Sequence, residues 1–142
     1  MDFDVSRPIW VQLAEEFARR IAVGRWQPGE RLPAVRDLAA DLGVNPNTVQ
    51  RALSELERDG LCRAERTAGR FVTEDPERIA ELREEILGQS ADNFIAAAQG
   101  LGLSQAQTVK LISRRWPENS ITGSQQDPAA SPFSQQMPGG GL

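Results

Sequence analysis

Asn45, Asn47, Thr48, Gln50 and Arg51 lie within two helical turns of sequence and carry the hydrogen-bonding groups that nucleic acid demands. An Asn or Gln amide can bond an adenine edge bidentately, an Arg guanidinium can take a guanine edge or a phosphate, and a Thr hydroxyl can take a phosphate. These groups must be presented together by one rigid element. The flanking residues supply it: Asn45 is a good N-cap, Pro46 suits the first helical position, and Gly60 suits a left-handed C′ position. A helix from Asn45 to Asp59 is therefore predicted, with Val49, Ala52, Leu53 and Leu56 turned inward and Asn47, Gln50, Arg51, Ser54 and Arg58 on the opposite side.

A polar helix face alone is ordinary solvated surface, so its surroundings decide. Immediately upstream, Ala34 to Leu42 is a short helical pattern with Val35, Leu38, Ala39 and Leu42 on one stripe, and Gly43 joins it to the next helix through a short turn. This is the helix-turn-helix arrangement, whose second helix enters the major groove. Arg36, at the start of the first helix, is placed to reach a phosphate. From Pro8 to Val72 the chain resembles the DNA-binding domain of the GntR family of bacterial transcription regulators, a winged helix-turn-helix. The resemblance is carried by Pro8-Ile9-Trp10, Gln12-Leu13, Ile21, Gly24, Pro28-Gly29, Leu32-Pro33, Arg36, Leu38-Ala39, Val44 to Val49, Arg51-Ala52, Leu56-Glu57, Gly60-Leu61, Gly69 and Phe71-Val72. The run VNPNTVxRA and the short remainder of the chain are most similar to the YtrA subfamily.

After Gly60, Leu61 to Glu65 and Arg70 to Thr73 read as two short strands around the tip Arg66-Thr67-Ala68-Gly69, where the family's wing would stand; Thr67 occupies a position at which many relatives have glycine. Glycine permits close backbone approach and an adjacent Arg suits a narrow minor groove. Gly69 and Arg70 are thus the candidates for the wing groove, and Arg66 with Arg36 for the phosphate backbone. Cys62 reads as a small buried strand residue.

Composition narrows the alternatives. The chain has 142 residues, a single cysteine, no histidine and a net charge of −4. The usual zinc ligand sets and histidine-based triads are excluded, no intramolecular disulfide can form, and no glycine-rich phosphate loop or nucleophile elbow appears. No cofactor, metal or catalysis is expected. The acidity does not argue against DNA, because eleven acids are matched by eleven arginines up to Val72 and the excess lies later in the chain. No stretch approaches the roughly 18 consecutive apolar residues of a membrane span, and no export signal is apparent, so a cytoplasmic location is expected.

Working from the start, Asp2 to Arg7 reads as a loose lead-in. A helix follows to about Val23, with Ile9, Leu13, Phe17 and Ile21 on one face and Trp10, Ala14 and Ala18 beside them. Asp75-Pro76-Glu77 repeats the cap, N1 and acidic-first-turn pattern, and Ile79, Leu82, Ile86, Leu87, Phe94, Ile95, Ala98 and Leu101 continue a helical stripe, with a bend expected at Gly88-Gln89-Ser90. Ser104-x-x-Gln107 has the form of a capping box for a last helix bearing Val109, Ile112 and Trp116. Two helices cannot close a core alone.

The expected architecture is mainly α with a small β-wing (α+β): a winged helix-turn-helix over 1–75, a two-helix dimerisation region over 76–116 and a disordered tail over 117–142 rich in Ser, Gln, Pro and Gly. Ile79, Leu82, Ile86, Phe94, Val109, Ile112 and Trp116 are the candidate dimerisation residues. The expected function is a dimeric DNA-binding transcription regulator, a repressor on an inverted-repeat operator; the alternative is a winged-helix module that binds protein. The resemblance implies control of transporter operons, some tied to cell-envelope stress. Any small-molecule effector is unidentified by sequence, and a pocket for one would form between dimer helices or at the domain junction.

Overall fold

The computed structural model describes residues 1–118. Five helices and two strands follow in the order α1 (Ile9–Ala22), α2 (Val35–Leu42), α3 (Pro46–Arg58), β1 (Cys62–Glu65), β2 (Gly69–Val72), α4 (Pro76–Gly100) and α5 (Gln105–Arg115). This is the mainly α winged helix-turn-helix expected. The chain divides into two compact units, Met1–Asp92 and a second beginning at Asn93.

The first unit is built on the helical stripes. Leu13, Phe17 and Ile21 of α1 meet Val49, Ala52, Leu53 and Leu56 of α3, with Leu38 and Ala39 of α2 closing one side and Val72 of β2 another. Ile9, at the exposed start of α1, falls outside this core. Gly43, the C-cap of α2, has φ +68°, a left-handed conformation that turns the chain at once into α3. Asn45 caps α3 as expected, its side-chain oxygen accepting the Asn47 N–H at 2.7 Å.

The strands pair antiparallel in the register Cys62↔Val72, Arg63↔Phe71, Ala64↔Arg70 and Glu65↔Gly69. A third segment that the sequence did not suggest lies against β2: Arg31 bridges Phe71, Leu32 N–H donates to Arg70 C=O at 2.8 Å, and Val72 N–H donates to Glu30 C=O at 2.9 Å. Trp26 supports the approach to this segment by packing its ring on Phe17 at 5.3 Å between centroids, with the Arg20 guanidinium over both rings.

Further sequence expectations change. The lead-in is tied down rather than loose: the buried Gln12 amide accepts the Asp4 N–H at 2.7 Å and donates to the carbonyls of Asp4 and Arg7 at 2.6 and 2.9 Å. Within that turn, Ser6 donates its N–H and hydroxyl to the Asp4 carboxylate, holding Asp4 below its ordinary pKa. The bend at Gly88-Gln89-Ser90 is absent, since α4 runs through these residues; a glycine inside a helix costs only about 1 kcal/mol relative to alanine and does not by itself break it. Finally, Ile79 and Leu82, assigned to dimerisation, are 5% and 4% exposed and belong to the core of the first unit, with Ile86 half-buried against it. Arg78 and Arg83 reinforce this packing by donating to the carbonyls of Asp59 at 2.9 Å and Ala22 at 3.0 Å, the C-terminal ends of α3 and α1.

The second unit contains the end of α4 and α5. Ser104 and Gln107 form the complete reciprocal capping box. Its apolar side chains are largely uncovered: Phe94, Ile95, Val109, Ile112 and Trp116 are all exposed, while Ala98 and Thr108 are buried. Most of the tail expected over 117–142 lies outside the described residues.

Candidate nucleic-acid interface

The outer face of α3 presents Asn47, Gln50, Arg51, Ser54 and Arg58, all exposed, with Thr48 half-buried at the first turn. Asn45 is beside them, but its carbonyl oxygen is spent on the cap, which leaves its Nδ2 group as the donor it can offer outside. Arg51 is stacked: its Cζ lies 4.2 Å from the Trp10 ring centroid, at the start of α1. A stacked guanidinium keeps its edge N–H donors free, so this contact orients the group without consuming its hydrogen bonds.

Which arginines could meet a phosphate is a question of which are already neutralised. Arg7 pairs with Glu15, Arg20 with Glu16, Arg58 with Glu55, Arg63 with Glu65, and Arg78 with Glu81 and Glu85. Arg36 on α2 and Arg66 at the wing tip are exposed and, among the described residues, have no carboxylate partner. Arg70 differs from expectation: its Nε lies 3.4 Å from Glu57 Oε1 of α3, and its side chain is 18% exposed. Strand alternation explains this, because Arg70 shares the inward face of β2 with Val72, while Gly69 and Phe71 face outward. Arg70 therefore braces the wing against α3.

Gly69 is the exposed start of β2, at φ +101°. A methyl group in place of its hydrogen would stand 3.0 Å from Arg31 Nε and 3.6 Å from its Cζ, so the Arg31 side chain lies across the glycine on the outer face of the wing. Cys62 begins β1, buried below Leu53; burial pushes its thiol pKa up to about 11.

Residues 11–72 match the profile of bacterial regulatory proteins of the gntR family. The uncharacterized HTH-type transcriptional regulator YhcF of Bacillus subtilis is 34% identical over 110 residues, covering 78% of this chain and 91% of that protein. The chain belongs to the GntR family. It is also similar to the HTH-type transcriptional repressor YtrA of Bacillus subtilis, 39% identical over 70 residues that cover 49% of this chain and 54% of that protein. A solved GntR family transcriptional regulator from Listeria monocytogenes has a TM-score of 0.67 to it at 36% identity, covering 79% of this chain and 98% of that one. The protein is thus a YtrA-like GntR transcription regulator, a DNA-binding protein and not an enzyme.

The first unit of this GntR regulator also holds a cleft of about 740 Å³ where α4 meets α1 and α3. Ala14, Ala18, Leu56, Leu61 and Leu82 give it an apolar lining, and the Arg7–Glu15 and Arg78–Glu85 pairs stand among its charged residues. Sequence reasoning missed Arg31, which no helical or alternating pattern singles out, and it missed the stacking of Arg51 on Trp10. The Pro28-Gly29 turn and a basic residue just before Leu32 were the available signals. No helix among the described residues is long and apolar enough to cross a membrane.

Proposed function

We propose that this regulator works as a dimer on an inverted-repeat operator, with α3 in the major groove and the wing in the minor groove, and that it represses by occupying the promoter. The observation that carries the proposal is the α3 face: Asn47, Gln50 and Arg51 stand exposed together without a carboxylate on Arg51 among the described residues, and Arg36 and Arg66 offer further unneutralised charge. Asn47, Gln50 and Arg51 read base edges; Asn45, through its Nδ2 group, and Thr48 hold the helix N-terminus on the backbone; Arg36 and Arg66 contact phosphates; Gly69 brings the wing backbone close, with Arg70 positioning the wing.

Dimerisation is supported by the second unit. Phe94, Leu111, Ile112, Arg115, Trp116 and Pro117 line a shallow apolar cleft of about 300 Å³, and a partner's equivalent face would cover Phe94, Val109, Ile112 and Trp116. A two-fold dimer presents two reading helices to half-sites separated by one helical turn or a multiple of it, which is the origin of operator palindromy. Repression accords with the relative YtrA of Bacillus subtilis, a transcriptional repressor.

The test is selection of bound duplexes from a random pool, followed by salt titration on the winner and sedimentation of the free protein. An enriched inverted repeat, a steeply salt-dependent affinity and a dimer that Ile112→Glu dissociates are the expected results. A monomer at micromolar concentration, or enrichment of a single unrepeated half-site, would overturn the dimeric reading.

A further inference from the structure

The outer face of the wing is organised around Phe71. In antiparallel pairing, directly opposed residues share a face, so Arg63 of β1 and Arg31 of the third segment flank Phe71 from either side. The two arginines differ in what neutralises them. Arg63 stacks on Phe71, with Cζ 5.3 Å from the ring centroid, and pairs with Glu65 at 3.0 Å. Arg31 is exposed, has no carboxylate partner among the described residues, and extends across Gly69 toward the wing tip that carries Arg66.

The absence of a side chain at Gly69 gives that course its room. Its positive φ already favours glycine, and a Cβ there would press to 3.0 Å from Arg31 Nε, closer than an ordinary contact. The Arg31 backbone is fixed as well, by its bridge to Phe71 and by the neighbouring bond from Leu32 N–H to Arg70 C=O. A cation held at its backbone, laid along a glycine and left unneutralised beside the wing tip is suited to a polyanion that passes the wing.

We infer that Arg31 is a DNA-contacting residue of the wing that binds a backbone phosphate flanking the groove the wing enters, alongside Arg66. The inference rests on the DNA-reading proposal above. A phosphate contact adds affinity on every sequence and carries no base preference.

The experiment titrates the full chain against its selected duplex and against an unrelated duplex at several salt concentrations. Arg31→Gln and Arg31→Lys are compared with the wild type and with Arg19→Ala, an arginine that lines the α1–α4 cleft. Arg31→Gln is expected to weaken binding to both duplexes by a similar factor and to shallow the slope of log K against log salt by about 0.9 for each protomer bound. Arg31→Lys should restore the slope, Arg19→Ala should leave it at the wild-type value, and thermal melting of each variant checks that it is folded. A wild-type slope in a folded Arg31→Gln overturns the inference, as does a loss confined to one base position, which would mean a base-edge contact. Failure of the wild type itself to bind any duplex would instead remove the DNA-reading proposal, so the two failures are distinguishable.

Discussion

The stacking of Arg51 on Trp10 joins α3, the proposed reading helix, to the first helix of the fold, and Trp10→Leu isolates what that contact does. The guanidinium carbon sits 4.2 Å from the ring centroid, and Arg51 is exposed. A cation–π contact at an exposed site is worth about 0.5–1 kcal/mol. If the stack holds Arg51 in its DNA-bound posture, removing it transfers that energy to the binding step as a cost of ordering a free Arg side chain. Affinity should then fall roughly two- to fivefold. The assay is fluorescence anisotropy on the selected operator with wild type, Trp10→Leu, Arg51→Ala and the double variant, scored on folded protein. The loss from Trp10→Leu should vanish in the Arg51→Ala background, because the two residues act through one contact. The same two- to fivefold loss in that background would refute the coupling. Tighter binding by Trp10→Leu would show that the stack competes with DNA for Arg51.

Other perturbations test the packing behind the interface. Gly69→Ala meets both a left-handed backbone and the Arg31 guanidinium 3.0 Å away, and should cost about 1–3 kcal/mol, read as a lower melting temperature; an unchanged melting temperature would contradict the described wing. Gln12→Leu removes three hydrogen bonds from the Asp4–Arg7 turn, at about 1–3 kcal/mol in total, and hydrogen exchange at the Asp4 amide should accelerate while α3 amides near the global limit shift only by the loss of stability. Cys62 is buried with its pKa pushed to about 11, so the folded state retains a proton that the unfolded chain releases above about pH 8.5. Stability should therefore fall by on the order of 1–2 kcal/mol as pH rises from 9 to 11, and Cys62→Ala should lose that component in denaturant titrations.

How far sequence reasoning reached depends on whether a feature leaves a periodic trace. The stripes of α1, α2 and α3, the Asn45 and Ser104 caps, and the two wing strands all do so, and their registers match within a residue or two. The Arg31–Phe71 bridge is a single pairing, too short for alternation to show, which hid both the third wing segment and Arg31 itself. Gln12 is polar on an otherwise apolar stripe, and only the returning chain at Asp4 and Arg7 explains it. Ile79 and Leu82 show the converse problem: helical spacing says that a face is buried, not what buries it, and here the covering surface belongs to the same chain. Arg70 was assigned from its place beside a wing glycine, whereas the pleat of β2 turned it toward Glu57.

That brace has a consequence for recognition. With Arg70 paired to Glu57 between β2 and α3 and the Arg31 segment hydrogen-bonded along the other edge of β2, the proposed grip of wing and α3 on DNA would act as the two jaws of a caliper set to one width. A duplex gripped by both jaws must match that width or be deformed to it, and the cost of deformation depends on the stiffness of base steps lying between the contacts. Operator preference should extend to positions that no side chain touches, and Glu57→Gln, which removes the charge facing Arg70, should flatten the preference there before it alters the bases proposed for Asn47, Gln50 and Arg51.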